Sequence, residues 1–212
     1  MKSLPLLVSD SPVEVVGIEH VDRLLQAKIP AIFVLGHLAN WELATRVAAV
    51  RGLRIAQVYR RVNNPVVAKI IRRIHGSMVS ELVEKGVEGA RQLIEVMKRK
   101  ETLSVLIDQK MNEGVAVPFF GREAMTAPAV AKLALKFKAP IIPVRVERLP
   151  GFRFRVTYYP PLDIAYGQTT QESVYNILLQ INQHLESWIR ERPDQWFWIH
   201  NRWPKSENHK KS

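Results

Sequence analysis

Short apolar runs alternate with amphipathic segments along most of the chain. The runs at 29–35, 53–59 and 102–107 have the length and composition of buried strands. Residues 86–99 and 170–192 instead carry apolar side chains at helical spacing. This alternation predicts an α/β fold with a mixed central β-sheet flanked by helices. Further strands are predicted at 13–18, 115–120, 141–146 and 152–159, and further helices at 20–27, 64–75 and 127–138.

A strand-to-helix turn is predicted directly after the run 29–35. Gly36 ends the strand, and Asn40 is a suitable cap for the helix that follows. His37 therefore lies in the turn, where its side chain can face a cleft. The core face of the helix is expected to begin with Leu43, Val47 and Val50.

His37 and Glu42 form the candidate catalytic pair. Five residues of continuous helix turn about 500°, which would not align the two side chains. With His37 in the turn, however, Glu42 in the first helical turn can reach back to the imidazole. A histidine base oriented by a carboxylate suits hydroxyl activation for acyl transfer. The simpler alternative is a capping turn with a solvated histidine and glutamate.

Composition limits the partners of the protein. The 212 residues include no cysteine, which excludes disulfides and thiolate metal sites. The formal net charge of +11 favours an acidic partner such as a phosphorylated substrate, an acidic carrier protein or an anionic bilayer. The sequence contains no run of 18 apolar residues, so it does not predict a transmembrane helix.

Two segments have the composition of membrane-surface contacts. The predicted helix 64–75 combines an apolar face with Lys69, Arg72 and Arg73. Four of the five tryptophans lie in the last 25 residues, close to several basic side chains. An ordinary core-facing helix and a C-terminal arm packed on the core are the alternatives. We expect Trp196 and Trp198 to point one inward and one outward.

Several segments, taken in order, carry a family resemblance. The chain resembles the bacterial lipid A biosynthesis acyltransferases, the lauroyl and myristoyl transferases of the lysophospholipid acyltransferase superfamily. The likeness covers about residues 13–205, and we expect one acyltransferase domain over 1–212 with a short, flexible, basic C-terminal tail. The matching blocks are 36–42 (GHLANWE), 59–61 (YRR) with 64–65 (NP), 108–109 (DQ), 114–121 (GVAVPFFG), 126–128 (TAP), 140–144 (PIIPV) and 195–203 (QWFWIHNRW).

The resemblance implies a glycerolipid-acyltransferase-like fold and a specific reaction. His37 would be the general base and Glu42 would orient it, while an acyl chain moves from an acyl carrier protein thioester to a hydroxyl of a lipid A precursor. No cofactor and no metal are implied. Arg60 and Arg61 are candidates for the oxyanion or for a substrate phosphate. The residues assigned to substrate binding are Asn40, Arg60, Arg61, Asp108, Gln109, Phe119, Phe120, Gly121 and Arg122.

The resemblance also implies a location and leaves rival functions open. Family members usually carry an N-terminal membrane-anchoring helix, whereas this chain begins almost directly at the predicted catalytic core. We therefore expect peripheral attachment to the cytoplasmic face of the bacterial inner membrane. The rivals are a lysophosphatidate-type acyltransferase, a non-catalytic basic lipid-binding remnant, and a nucleic-acid-binding domain. The last is disfavoured because the basic residues are dispersed and no nucleic-acid motif is present.

Overall fold

A computed structural model describes residues 12–59, 79–84, 86–198 and 200–203. The strands are β1 (Val13–Val16), β2 (Ala31–Leu35), β3 (Ile55–Tyr59), β4 (Glu81–Glu84), β5 (Thr102–Leu106), β6 (Val115–Phe119), β7 (Arg122–Thr126), β8 (Ile141–Leu149) and β9 (Arg153–Tyr158). The helices are α1 (Ile18–Ala27), α2 (Glu42–Val50), α3 (Val87–Lys98), α4 (Ala129–Phe137) and α5 (Thr170–Glu191), and a 3₁₀ turn covers Pro193–Gln195.

Seven strands form one central sheet in the order β1-β9-β8-β2-β5-β3-β4. From β8 to β4 every neighbouring pair is parallel, while β9 pairs antiparallel with β8 and parallel with β1. The carboxyl ends of β2, β5, β3 and β4 therefore meet at one edge. Strands β6 and β7 form a separate antiparallel hairpin.

Strand β2 lies at the centre of the sheet and is buried on both faces, as its unbroken apolar sequence predicts. Ile32 and Val34 belong to one hydrophobic core, which includes residues of α3, α4 and α5. Phe33 and Leu35 belong to a second core, which includes residues of α1 and α2. The sheet therefore separates two helical layers, and the predicted α/β fold with a mixed central sheet is confirmed.

The differences from the predicted elements have local causes. Strand β4 was not predicted, because its sequence ELVE is short and half charged at the sheet edge. Strand β7 was missed because its outward positions are polar. The expectation that Val50 faces the core was wrong: it is the last residue of α2 and is 49% exposed. The predicted helix 64–75 lies outside the described residues. Among those described, no helix has the length and apolar character needed to cross a bilayer.

Candidate active site

His37 and Asp108 lie just beyond the carboxyl ends of two neighbouring parallel strands. Leu35 of β2 pairs with Leu106 of β5, and the Ile107 amide donates to the Leu35 carbonyl at 3.0 Å. His37 and Asp108 each follow their paired leucine by two residues, so the register brings their side chains together. Ends of parallel strands are common positions for site residues in α/β sheets.

The Asp108 carboxylate binds the His37 ring. Oδ1 of Asp108 is 2.7 Å from Nδ1 of His37, and Oδ2 accepts from the His37 amide at 2.8 Å. Oδ2 also accepts from Nε1 of Trp196 at 2.9 Å. A carboxylate can only accept hydrogen bonds, so in the neutral imidazole Nδ1 carries the proton and Nε2 keeps the lone pair of a base.

The environment of Asp108 favours its ionised form. The side chain is only 3% exposed, and that of His37 is 16% exposed. Burial by itself raises the pKa of Asp108, but the hydrogen bonds and charge of His37 and the hydrogen bond from Trp196 together lower it below its ordinary value. A buried, ionised carboxylate is suited to hold the imidazole in one tautomer and to stabilise the imidazolium.

The turn that carries His37 is held in an unusual backbone conformation. Ala39 has a φ of 48°, which non-glycine residues rarely adopt. Leu38 forms an isolated antiparallel bridge with Trp196. A Cβ on Gly36 would lie 2.9 Å from Cδ2 of Leu185, so a larger residue there would force the packing to shift. The glycine before His37 therefore lets the turn pack closely against Leu185 of α5.

An apolar pocket of about 290 Å³ extends from this edge of the sheet between α3 and α4. Gln109 lines it, and Nε2 of Gln109 is 3.4 Å from Nε2 of His37. Gln109 therefore connects the pocket with the His37 ring. Its apolar wall includes Leu93, Leu103, Val105, Ala129, Val130 and Leu133.

Glu42 begins α2, so the predicted place of this residue in the first helical turn is confirmed. The carboxylate that the structure places on Nδ1 of His37 is nevertheless that of Asp108, and the orienting role of Glu42 stays a prediction. The cap of α2 also differs from the expected one. Trp41 occupies the N-cap position, while the backbone carbonyl of Asn40 accepts from the Leu43 amide at 3.0 Å.

The predicted substrate-binding residues 119–122 lie at the β6–β7 hairpin. Phe119 is fully buried in the core, and Phe120 and Gly121 form the hairpin turn with φ values of 53° and 71°. The guanidinium of Arg122 lies 5.4 Å from the centroid of the Trp203 ring. Phe119 reaches the candidate site through its edge contact with Trp196, with ring centroids 6.0 Å apart. A role for these four residues in substrate binding stays a prediction.

Several predicted residues lie outside the described part of the chain. These are Arg60 and Arg61 and the basic side chains of the predicted helix 64–75. Asp108 and Gln109, by contrast, lie at the site as predicted. Among the described residues, no three His, Cys, Asp or Glu side chains come together as a group that could hold a metal ion.

The sequence reasoning missed two C-terminal contributions. It did not connect Trp196 with Asp108, although it expected one of Trp196 and Trp198 to point inward. That expectation is confirmed, because Trp196 packs against the core and Trp198 is 56% exposed. It also missed Arg202, which is fully buried and donates to the Met125 carbonyl at 2.9 Å. Burial lowers the pKa of Arg202 to about 10.

Comparison with known proteins identifies the family of the chain. Residues 9–205 match the family described as bacterial lipid A biosynthesis acyltransferase. A phosphatidylinositol mannoside acyltransferase of Mycobacterium tuberculosis is 25% identical over 189 residues, covering 85% of this chain and 58% of the relative. A lipid A biosynthesis acyltransferase of Haemophilus influenzae is 21% identical over 192 residues, covering 88% of this chain and 57% of the relative.

One solved structure similar to this chain is the 1-acyl-sn-glycerophosphate acyltransferase PlsC of Thermotoga maritima. It has a TM-score of 0.48 and 16% sequence identity, and the match covers 87% of this chain and 73% of that chain. The chain spans less than two thirds of the length of the two curated relatives, 58% and 57% respectively. The family match, by contrast, spans most of this chain. The protein therefore belongs to the bacterial lipid A biosynthesis acyltransferase family.

Proposed function

We propose that this protein transfers a fatty acyl chain from the thioester of acyl carrier protein to a hydroxyl group of a lipid A precursor. One observation carries the proposal. Nε2 of His37, set as a base by the contact between Nδ1 and Asp108, lies beside Gln109, which lines the apolar pocket. Base and pocket together suit a reaction between a hydroxyl group and a fatty acyl thioester.

In the proposed step, Nε2 of His37 takes the proton of the acceptor hydroxyl as its oxygen attacks the thioester carbonyl carbon. The tetrahedral intermediate then collapses, the carbon–sulfur bond breaks, and the imidazolium returns its proton to the leaving thiolate. Asp108 stabilises the imidazolium while it exists. A positioned base of this kind contributes a factor of about 10²–10⁴ in rate. Arg60 and Arg61 remain the candidates for binding the oxyanion or an acceptor phosphate.

The fatty acyl chain is assigned to the apolar pocket. Apolar side chains of β5, α3 and α4 form its wall, and Gln109 is the lining residue that contacts His37. Lys110, an exposed cation, also lines it. An acyl chain lying there would bring its thioester carbon toward the base. Burial of methylene groups would supply binding free energy of about 0.8 kcal/mol for each fully buried group.

The acceptor and the acyl carrier protein are proposed on charge. The net charge of +11 is complementary to a phosphorylated glycolipid, to an acidic carrier protein and to an anionic membrane. The proposed location is the cytoplasmic face of the bacterial inner membrane, where such a lipid acceptor would be reached from the aqueous side.

A surface patch near the site suits the membrane contact. Phe197 and Trp198, the aromatic surface patch, are 61% and 56% exposed. Trp198 contacts Trp203 at 5.5 Å between ring centroids, and the exposed Arg122 lies over the Trp203 ring. Exposed aromatic side chains next to cations favour the interface of an anionic bilayer.

The experiment that tests the function compares His37→Ala with His200→Ala in an acyl-transfer assay. The assay uses acyl carrier protein loaded with a fatty acid and a lipid A precursor, and parallel reactions offer lysophosphatidate as the acceptor. We expect His37→Ala to reduce turnover by at least about 10²-fold, and His200→Ala, at an exposed position, to leave it unchanged. Turnover of lysophosphatidate alone would overturn the proposed acceptor, and full activity of His37→Ala would overturn the mechanism.

A further inference from the structure

The C-terminal segment 195–198 is attached directly to the turn that carries His37. The Ala39 amide donates to the Gln195 carbonyl at 2.8 Å, and the Phe197 amide donates to the His37 carbonyl at 2.8 Å. Between these two backbone bonds, Nε1 of Trp196 donates to Oδ2 of Asp108 at 2.9 Å. The same short segment therefore holds both the backbone of the base and the carboxylate that binds its ring.

The position of the Trp196 ring is fixed from two sides. Trp198 stacks on it with ring centroids 5.3 Å apart and an interplanar angle of 4°. Phe119 contacts it edge to face with centroids 6.0 Å apart. Because packing determines where the indole lies, its N–H points at Oδ2 without depending on the hydrogen bond alone.

The bond to Trp196 completes the hydrogen bonding of Asp108. Oδ1 accepts from Nδ1 of the His37 ring, whereas Oδ2 accepts from the His37 amide and from Nε1 of Trp196. Three donors around one buried carboxylate fix its rotation as well as its charge. A carboxylate rotated away from this geometry would release Nδ1 and allow the ring to turn.

We propose that Trp196 is a positioning residue, which acts through Asp108 to hold the His37 ring in the orientation that presents Nε2 to the substrate. This inference rests on the proposed function, because it assigns Trp196 to the same base. Trp196 itself need not touch the substrate. It differs from the aromatic surface patch, whose side chains are exposed.

Other charged groups also interact with Asp108, and they stay in place in the variant that tests the proposal. His37 faces it from the β2–α2 turn, and Arg202 exerts an attractive charge interaction from the C-terminal arm. Both are retained when Trp196 alone is changed. The hydrogen bond from Trp196 is one of the interactions that lower the pKa of Asp108, so its loss raises that pKa. Through the hydrogen bond between Asp108 and His37 this change reaches the base, so the acidic limb of the pH–rate profile moves to higher pH.

The variant that tests the proposal is Trp196→Phe, which keeps an aromatic ring and removes the N–H donor. Its matched control is Trp203→Phe. Nε1 of Trp203 donates at 3.0 Å to the Phe119 carbonyl, so the control loses an indole hydrogen bond that does not reach Asp108. For Trp196→Phe we expect kcat to fall about 10- to 100-fold with a smaller change in KM. The acidic limb should move to higher pH. Trp203→Phe should leave the position of that limb unchanged.

The outcomes separate this inference from the proposed function. Loss of turnover in His37→Ala together with a parental kcat and pH profile in Trp196→Phe would overturn the role of Trp196 alone. Equal shifts of the acidic limb in Trp196→Phe and Trp203→Phe would also overturn it, because the effect would then be general packing. Full turnover in His37→Ala would overturn the function on which the inference rests. Thermal unfolding of each variant, measured in parallel, identifies any variant whose kinetics reflect loss of folded protein.

Discussion

His37 and Asp108 are 71 residues apart in the chain, and their side chains meet at 2.7 Å between Nδ1 and Oδ1. Glu42, only five residues from His37, starts the helix beside the turn. Two carboxylates are therefore candidates for orienting the His37 ring. Asp108 has the observed contact with the ring, while Glu42 is the orienting residue that the family resemblance implies.

Asp108→Asn and Glu42→Gln distinguish the two carboxylates. We expect Asp108→Asn to lower kcat by at least about 10²-fold, because an amide can donate to Nδ1 and favour the wrong ring tautomer. Glu42→Gln should cost less than Asp108→Asn if Asp108 is the orienting group. The measurement is steady-state acyl transfer at several pH values. The reverse order of the two losses would return the orienting role to Glu42.

A second prediction concerns stability and uses Glu101, which is 4% exposed. Burial opposes ionisation of this carboxyl, but hydrogen bonds from Arg99, Ser80 and Arg54 outweigh it and lower the pKa of Glu101 below its ordinary value of 4.5. A lowered folded-state pKa stabilises the fold above the unfolded pKa, and that stability is lost as pH falls through the folded pKa. Glu101→Gln should lower the free energy of unfolding at pH 7 by about 1–3 kcal/mol.

The pH dependence supplies the check on Glu101. The difference in stability between the parent and Glu101→Gln should shrink once the pH falls below the ordinary pKa of 4.5. Glu88→Gln is the matched control, since Glu88 and Arg91 form an exposed ion pair at 3.6 Å, and such pairs contribute little. Urea unfolding at neutral and acidic pH measures both. A difference for Glu101→Gln that did not change with pH would contradict the assignment.

The sequence predicted the layers of the fold because their signal is local. The unbroken apolar run of β2 indicated a strand buried on both faces, and the structure shows its side chains in two different cores. Strands such as β4 escaped prediction because a short, half-charged segment at a sheet edge has no distinctive pattern. The strand order could not be predicted, since nothing local records that β5 is the neighbour of β2.

That missing strand order explains why the contact between His37 and Asp108 was not predicted. Asp108 was predicted as a site residue from its place at a strand end, but its contact with His37 depends on the register between β2 and β5. The role of Trp196 depends on an even longer return of the chain, from α5 back to the turn. Sequence reasoning favoured Glu42 because it considers near neighbours first.

A third prediction tests the apolar pocket as the acyl site. Ala90 on α3 lines the pocket and is exposed to solvent, so Ala90→Leu should fill space without damaging the core. We expect kcat/KM for long acyl donors to fall about tenfold or more relative to short donors, because the added leucine side chain occupies pocket volume that a long acyl chain would fill. The measurement is competition between acyl carrier proteins loaded with different chain lengths.

The control for the pocket is Ala27→Leu. Ala27 is an exposed helical alanine at the end of α1, and α1 packs in the other core. The Ala27→Leu substitution adds the same side chain away from the pocket, so the ratio of kcat/KM between long and short acyl donors should stay at the parental value. An unchanged ratio in Ala90→Leu would remove the acyl chain from this pocket.

The final prediction concerns the aromatic surface patch of Phe197 and Trp198. Vesicle binding should increase with the fraction of anionic lipid and weaken at high salt, because each basic residue near the surface contributes about 1 kcal/mol and the attraction decays over about a Debye length. Phe197→Ala should weaken binding to anionic vesicles, as it removes an apolar side chain that is 61% exposed. Phe152→Ala is the matched control, because Phe152 is 87% exposed and lies in the turn between β8 and β9. Sedimentation with vesicles at low and high salt measures both variants.

Two outcomes would contradict this prediction. A larger loss of binding for Phe152→Ala than for Phe197→Ala would place the membrane contact at the β8–β9 turn. Equal binding to neutral and anionic vesicles would contradict the electrostatic contribution.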